Sequence, residues 1–234
     1  MATTDQIAAY EQLFDKLVKE FEQGLIAVIN DVWLQLAQLG TRASRLEIIQ
    51  LFAPVQSYIA NQLSRIQQIL AQSMAINADV INPQQWPLPV ETASLIAEVT
   101  NATQQSAQTQ QNELIQTVVM SAAVGASIAV LLKQLQPWIK RAGQRITAAW
   151  ATAVQQLESS ILRIRARAAG IDRFQYVGGV IDRTRPFCKQ HNGKIYTTKE
   201  IDAQWKKTWQ GKKPGDPFVV RGGYNCRHFW VAVP

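Results

Sequence analysis

The chain has 234 residues, of which 47% are hydrophobic, so it can bury a core without a disulfide or a metal. Its two cysteines exclude a disulfide-rich secreted scaffold. The net charge of +7 is uneven, because residues 1–137 carry six basic and eleven acidic side chains whereas residues 138–234 carry 18 and six. Such a basic half is typical of a protein that contacts nucleic acid or a membrane surface. The alternative is a solvated basic helix followed by loops.

Residues 4–39 predict one long amphipathic helix, because apolar side chains recur there at three- and four-residue steps. Thr3 or Thr4 fits as the N-cap of this helix. Gly40 fits as its end, because glycine readily adopts the left-handed conformation that closes a helix.

A second helix is expected over about 42–76, and Pro54 should kink or split it. Because the connection to the first helix is short, residues 1–76 are predicted to form a helical hairpin. The next segment, 77–92, contains three prolines and is predicted to be a linker.

Residues 93–170 are predicted to form long helices, one ending near residue 136 and another that Pro137 opens and Gly170 ends. Within them, residues 114–132 carry no charge, and this length is close to what a transmembrane helix needs. Polar and small side chains interrupt the run, so a buried helix is the favoured prediction. Entry of this segment into a membrane during a later event is the alternative.

Three arginines near the end of the last long helix are candidate binding residues. Arg163, Arg165 and Arg167 point in different directions around the helix axis rather than along one face. We expect them to contact phosphate groups or the acidic side chains of another subunit.

Residues 171–234 differ in composition from the helical part and predict a small β-rich unit. Short β-branched and aromatic runs are separated there by glycine and proline, namely FQYVGGVID, GKIYTT, PFVVRGG and HFWVAV. A short helix is expected within 199–209. The predicted fold class is therefore mainly α, with long N-terminal helices followed by a small α+β C-terminal domain.

All cysteines and histidines of the chain lie in two short peptides of this C-terminal unit: Cys188, His191, Cys226 and His228. Two cysteines and two histidines are a common ligand set for tetrahedral zinc, although the spacing is not that of a standard zinc finger. A Cys188–Cys226 disulfide is a second interpretation. The third is that the cysteines are unlinked core residues and the histidines donate hydrogen bonds. All three interpretations stay open at this stage.

A catalytic role is not predicted for these residues. A cysteine beside a histidine can act as a nucleophile and its base, but no recognised nucleophile motif flanks either cysteine. The basic C-terminal unit also has no acidic cluster able to hold magnesium for nuclease chemistry. The chain is therefore predicted not to be an enzyme.

The same two peptides resemble the C-terminal domain of phage minor head proteins of the Mu F-like type. The resemblance covers roughly residues 155–234, and many members of the family close with C-R-C where this chain has C-R-H. The basic helix ILRIRARAAG stands at the expected position upstream. The matching residues are Asp182, Arg183, Arg185, Cys188, Gly193, Cys226, Arg227 and His228.

This resemblance implies a virion structural protein, a minor head or portal-associated protein that acts in head assembly, DNA packaging or ejection. It implies assembly in the host bacterial cytoplasm, portal (connector) or capsid proteins as partners, and no catalytic activity. We expect an oligomer within the virion, and DNA as a further candidate partner. Beside the cysteines, Arg183, Arg185 and Arg227 are candidate contacts to phosphate oxygens or to an acidic partner surface. Surface solvation or a local ion pair is the equal alternative for them.

Two other functions remain open from the sequence. One is a nuclease or toxin-like enzyme in the basic C-terminal domain. The other is a membrane-active genome-delivery protein that uses residues 114–132. Zinc is a candidate cofactor under any of the three, and no cofactor is certain.

Overall fold

A computed structural model describes residues 3–81 and 89–234 of the chain. Helices dominate the described residues as far as residue 168. In chain order they are α1 (Thr4–Leu39), α2 (Arg45–Leu51), α3 (Ala53–Ala60), α4 (Leu63–Asn77), α5 (Pro89–Ala123) and α6 (Ile128–Ala168).

The C-terminal part combines short helices with a three-stranded antiparallel sheet. Its elements are β1 (Arg173–Val177), α7 (Pro186–His191), β2 (Ile195–Thr197), α8 (Thr198–Gln204), α9 (Pro217–Val220) and β3 (Phe229–Val233). The strand order is β2-β1-β3, so β1 lies in the centre. The predicted fold class, mainly α with a small α+β C-terminal domain, is confirmed.

The first long helix follows its sequence pattern closely. The backbone N–H of Gln6 donates to the Thr3 hydroxyl at 3.2 Å, so Thr3 caps the helix. The stripe of apolar residues along α1 is buried. Gly40 adopts φ +66°, a backbone conformation that would strain any residue with a side chain, so glycine is favoured there.

Pro54 splits the second predicted helix, as expected. α2 ends at Leu51, and Pro54 lies in the first turn of α3, where its missing N–H costs little. The predicted linker at 77–92 falls largely on residues 82–88, which lie outside the described residues.

The boundary between the next two helices was predicted wrongly. α5 ends at Ala123 rather than near residue 136, because Gly125 takes φ +67° and turns the chain. Pro137 does not open a helix but lies inside α6. The apolar face continues across it through Leu135 and Trp138, and this packing offsets the lost backbone hydrogen bond.

Residues 114–132 therefore do not form the single buried helix that was favoured. They span the end of α5, a turn and the start of α6. Met120 and Val124 are among several apolar side chains that are exposed there, whereas Leu114 and Leu131 are buried. Within the described ranges, none of the helices has the length and apolar character required to cross a membrane.

One of the four predicted β-runs is helical. Residues PFVV form α9, because Asp216 accepts hydrogen bonds from the backbone N–H groups of Phe218 and Val219 and Pro217 suits the first helical position. The other three runs contain β1, β2 and β3, and the short helix expected within 199–209 corresponds to α8.

The chain divides into two compact units, each built from segments distant in sequence. Unit 1 comprises Met1–Lys16, Ser64–Val99 and Ala151–Pro234, and unit 2 comprises Leu17–Leu63 and Thr100–Trp150. The core of unit 1 includes Phe174, Tyr176, Trp205, Phe218 and Trp230. In unit 2 the ring of Phe21 stacks on Trp150 at 4.6 Å. The domain boundaries predicted at residues 76, 92 and 170 stay predictions.

Candidate functional site

Cys188, Cys226 and His228 come together in unit 1, and we call them the Cys–His cluster. Their sulfur and ring-nitrogen atoms all lie within 4.8 Å of one another, and the two sulfurs are 3.8 Å apart. All three side chains are buried. Both cysteines are free thiols in this structure.

Short hydrogen-bonded elements position the two peptides. Pro186 starts α7, which carries Cys188, and the N–H of Gly193 just beyond α7 donates to the Tyr176 carbonyl of β1 at 2.7 Å. In the loop before β3, the Asn225 N–H donates to the Thr152 hydroxyl of α6 at 3.1 Å. These bonds anchor the peptide of Cys188 to β1 and the peptide of Cys226 to α6.

Tyr176 lies against all three members of the cluster. Its hydroxyl is 3.6 Å from the sulfur of Cys188 and 3.4 Å from that of Cys226, and its ring stacks on His228 at 5.1 Å. Burial, followed by the neighbouring cysteines, raises the pKa of Tyr176 well above its ordinary value. Its hydroxyl therefore stays neutral and can donate to sulfur.

Two glycines allow the backbone to approach the cluster closely. A Cβ on Gly222 would lie 2.3 Å from the sulfur of Cys188 and 2.6 Å from that of Cys226. A Cβ on Gly178 would lie 2.7 Å from the Cα of His228. Any side chain at either position would push the cluster apart.

The two cysteines are coupled through their hydrogen bond. The bond from Cys188 lowers the pKa of Cys226 well below its ordinary value, with burial opposing and His228 adding to the effect. The same bond, together with burial, raises the pKa of Cys188.

His191 lies outside the cluster, although it was predicted with the other three. Its Nδ1 is 2.7 Å from the Tyr196 hydroxyl, and its ring packs on Phe187 and Trp205. Burial, with Lys194 and Lys207 nearby, lowers the pKa of His191, so the ring is neutral. Three of the four candidate ligands are thus brought together.

A cavity of about 640 Å³ opens beside the cluster and is lined by all three of its members. Three of the six candidate arginines also line it. Arg185 donates to the Tyr224 carbonyl at 2.6 Å, Arg227 pairs with Asp15, and Arg183 is exposed. These three arginines lie near the cysteines, and their contact with phosphate or with an acidic partner surface stays a prediction.

The other three candidate arginines lie on α6 and do not line this cavity. Arg163 forms ion pairs with Asp216 and, at 4.0 Å, with Asp202. Arg165 is buried and Arg167 is exposed. The three side chains thus have different environments, as expected from their directions around the helix.

A buried network next to the cluster was missed by the sequence analysis. Arg221 donates to Glu158 at 2.5 Å, and Glu158 also accepts from the hydroxyls of Tyr10 at 2.6 Å and Ser73 at 2.7 Å. Arg221 also donates to the His228 carbonyl at 3.1 Å, which ties the network to the cluster. A signal was present, because Glu158 is the one acidic residue in the α6 sequence and lies next to Leu157 of its apolar face.

Comparison with known proteins adds no relative. No protein-family model, curated protein or solved structure matches the chain.

Proposed function

We propose that the chain is a phage minor head protein that associates with the portal or capsid and acts in head assembly, DNA packaging or ejection. One observation carries the proposal. The two peptides that resemble the Mu F-like type are separate in sequence, yet Cys188 and Cys226 lie with their sulfurs 3.8 Å apart in one unit. Motifs that belong to one functional domain are expected to meet in this way.

The helical part supports a role in assembly. Apolar side chains are exposed around the turn between α5 and α6, among them Met120, Val124, Ile128 and Val130. Exposed apolar surface of this kind is typical of a protein that binds other subunits. The chain therefore acts as an oligomer or as a ligand of the portal ring within the virion.

The proposal is tested in the phage whose genome encodes the chain. Mass spectrometry of gradient-purified particles should detect the chain at a fixed ratio to the portal protein. An amber codon early in the gene should give particles that lack the chain and are defective in DNA content or infectivity, and a suppressor host should restore them. Purified wild-type particles without the chain would contradict a virion role.

A second candidate is a nuclease or toxin-like enzyme in the C-terminal part. The observation that favours it is the cavity, which places Arg183 and Arg185 beside a cysteine and a histidine. Such an enzyme should cleave DNA or RNA when purified, and His228→Ala should abolish cleavage while His191→Ala should not. If the purified chain leaves both DNA and RNA intact in the presence of either Mg²⁺ or Zn²⁺, this candidate function is excluded.

A further inference from the structure

The sulfurs of Cys188 and Cys226 are spaced as two ligands of one zinc ion are. Two thiolates, each about 2.3 Å from a tetrahedral zinc ion, lie about 3.8 Å from each other. The observed Sγ–Sγ distance is 3.8 Å. The same spacing accommodates the hydrogen bond of the metal-free pair, so the two sulfurs need no rearrangement to bind the ion.

The imidazole of His228 supplies a third donor. The residue is 2% exposed, and its Nε2 has no hydrogen-bond partner among the described residues. A buried nitrogen without a partner is costly, and that cost is removed when the nitrogen itself coordinates a metal ion. A sulfur and a nitrogen on one zinc ion lie about 3.6 Å apart. The three donor atoms already lie within 4.8 Å of one another, so a small shift of the ring closes the site.

The surroundings favour an open fourth position. His191 is held at Tyr196 by its 2.7 Å hydrogen bond, away from the cluster. The neutral Tyr176 hydroxyl is placed to donate to the metal-bound sulfurs, as the outer partners of metal ligands commonly do. The remaining side of the cluster faces the cavity, whose wall carries Arg183 and Arg185. Glu11 and Asp15 line the same cavity, but Arg227 pairs there with Asp15, so the wall keeps a net positive charge that favours a small anion.

We propose that Cys188, Cys226 and His228 bind one Zn²⁺ ion whose fourth position is open to the cavity and takes water or a small anion. The ligand set is soft, as zinc prefers, and three protein ligands with one open position are typical of zinc sites that bind exogenous ligands. The inference does not rest on the virion role, because each can fail without the other.

Zinc content tests the ligand set. The full chain, purified without chelators and dialysed against metal-free buffer, should retain one zinc ion per molecule by elemental analysis. Cys226→Ser and His228→Ala should each lose it, whereas His191→Ala should keep it, with circular dichroism reporting the fold of each variant. Loss of zinc from folded His191→Ala would overturn the three-ligand site, and wild-type protein that binds no zinc would overturn the site altogether.

Cobalt tests the open position and requires no variant. Co²⁺ added to the metal-free wild-type chain should give sulfur-to-metal charge-transfer absorption, and azide should then change the visible d–d bands because it enters the fourth position. Bands that azide does not change would overturn the open position.

Discussion

At the scale of single residues, a buried ion pair of Glu158 and Arg221 lies beside the site. Both side chains are no more than 3% exposed, so neither charge can be solvated if the other is removed. Arg221 also adopts a left-handed φ of 50°, which is strained for a residue with a side chain. Its contacts to Glu158, Ser159 and the His228 carbonyl hold it there.

We expect Arg221→Met to destabilise the folded chain by about 3 kcal/mol, because it leaves the Glu158 carboxylate buried without its counter-charge. Methionine has a volume similar to that of arginine, and it carries a similar backbone strain at a positive φ. Urea denaturation followed by tryptophan fluorescence measures the change. The double variant Arg221→Met, Glu158→Gln should recover part of the loss, since the amide is neutral. Its oxygen accepts from one of the two hydroxyls of Tyr10 and Ser73, and its NH2 donates to the other.

The matched control for this prediction is Arg163→Met. Its ion pair with Asp216 is partly exposed, with the two side chains 31% and 44% accessible, so its loss should cost less than about 1 kcal/mol. Equal losses of stability for Arg163→Met and Arg221→Met would show that burial does not determine how strongly an ion pair stabilises the fold. A double variant no more stable than Arg221→Met would show that the unpaired charge is not the cause.

At the scale of residues, the sequence predicts the members of the site only in part. Cysteine and histidine are rare in this chain, so their grouping identified Cys188, Cys226 and His228. It could not separate His191 from them, because the side-chain direction at the end of α7 is set by packing on Phe187 and Trp205. The role of Gly222 could not be predicted from the sequence either, because it depends on how closely the backbone passes the sulfurs of Cys188 and Cys226.

At the scale of elements, α8 depends on a capping box at its start. The Thr197 side chain accepts from the Glu200 N–H, and the Glu200 carboxylate accepts from the Thr197 N–H at 2.7 Å. A helix of seven residues has few internal hydrogen bonds, so these terminal bonds matter for its stability. The helix in turn positions Ile201, which is fully buried.

This box makes part of the stability pH-dependent. Hydrogen bonds from the backbone and then the side chain of Thr197 lower the pKa of Glu200 in the folded chain. Because the folded pKa is the lower one, the stabilisation is present above the unfolded pKa and is lost as pH falls through the folded pKa. We expect Glu200→Gln to lower the melting temperature near neutral pH and to match wild type at acidic pH, as measured by thermal denaturation across that range.

A double-mutant cycle supplies the control for the capping box. Thr197→Ala should cost about 1 kcal/mol as a lost N-cap. In that background Glu200→Gln should still lower the melting temperature near neutral pH, but by less than in the wild-type chain, because alanine keeps the backbone N–H that donates to Glu200 and lacks only the hydroxyl. Additive effects of the two changes, or a wild-type-like pH profile for Glu200→Gln, would contradict the assignment of the pH dependence to this box.

The ends of helices were predictable where the backbone constraint of a single residue sets them. They were not predictable where side-chain packing sets them. Gly40 and Pro54 each fix a helix end through their own backbone constraints. Pro137 carries the same constraint, yet α6 continues through it because Leu135 and Trp138 are buried on one continuous face. Residues PFVV have strand propensity but form α9, since the Asp216 cap satisfies their N–H groups.

At the scale of the whole molecule, the C-terminal residues 171–234 are bound into unit 1 rather than packed only on themselves. β3 is an edge strand of the sheet, and all five of its residues are buried. Its Ala232 N–H donates to the Asn77 side chain of α4 at 2.8 Å, and Phe229 lies 4.4 Å from the ring of Tyr10 on α1. The composition change near residue 171 predicts a separate domain, but composition carries no information about such long-range contacts.

We therefore expect the isolated fragment 171–234 not to fold as an independent domain. Without α1, α4 and α6 it would expose the apolar face and the unpaired edge of β3, which favour aggregation. Near-ultraviolet circular dichroism should show little ordered tryptophan signal, and sedimentation should show aggregates, with the full chain in the same buffer as the control. Adding Zn²⁺ should not restore a monomeric fold, because the ion replaces none of the helix contacts. A monomeric fragment with a cooperative unfolding transition would show instead that 171–234 is the autonomous domain that its composition predicts.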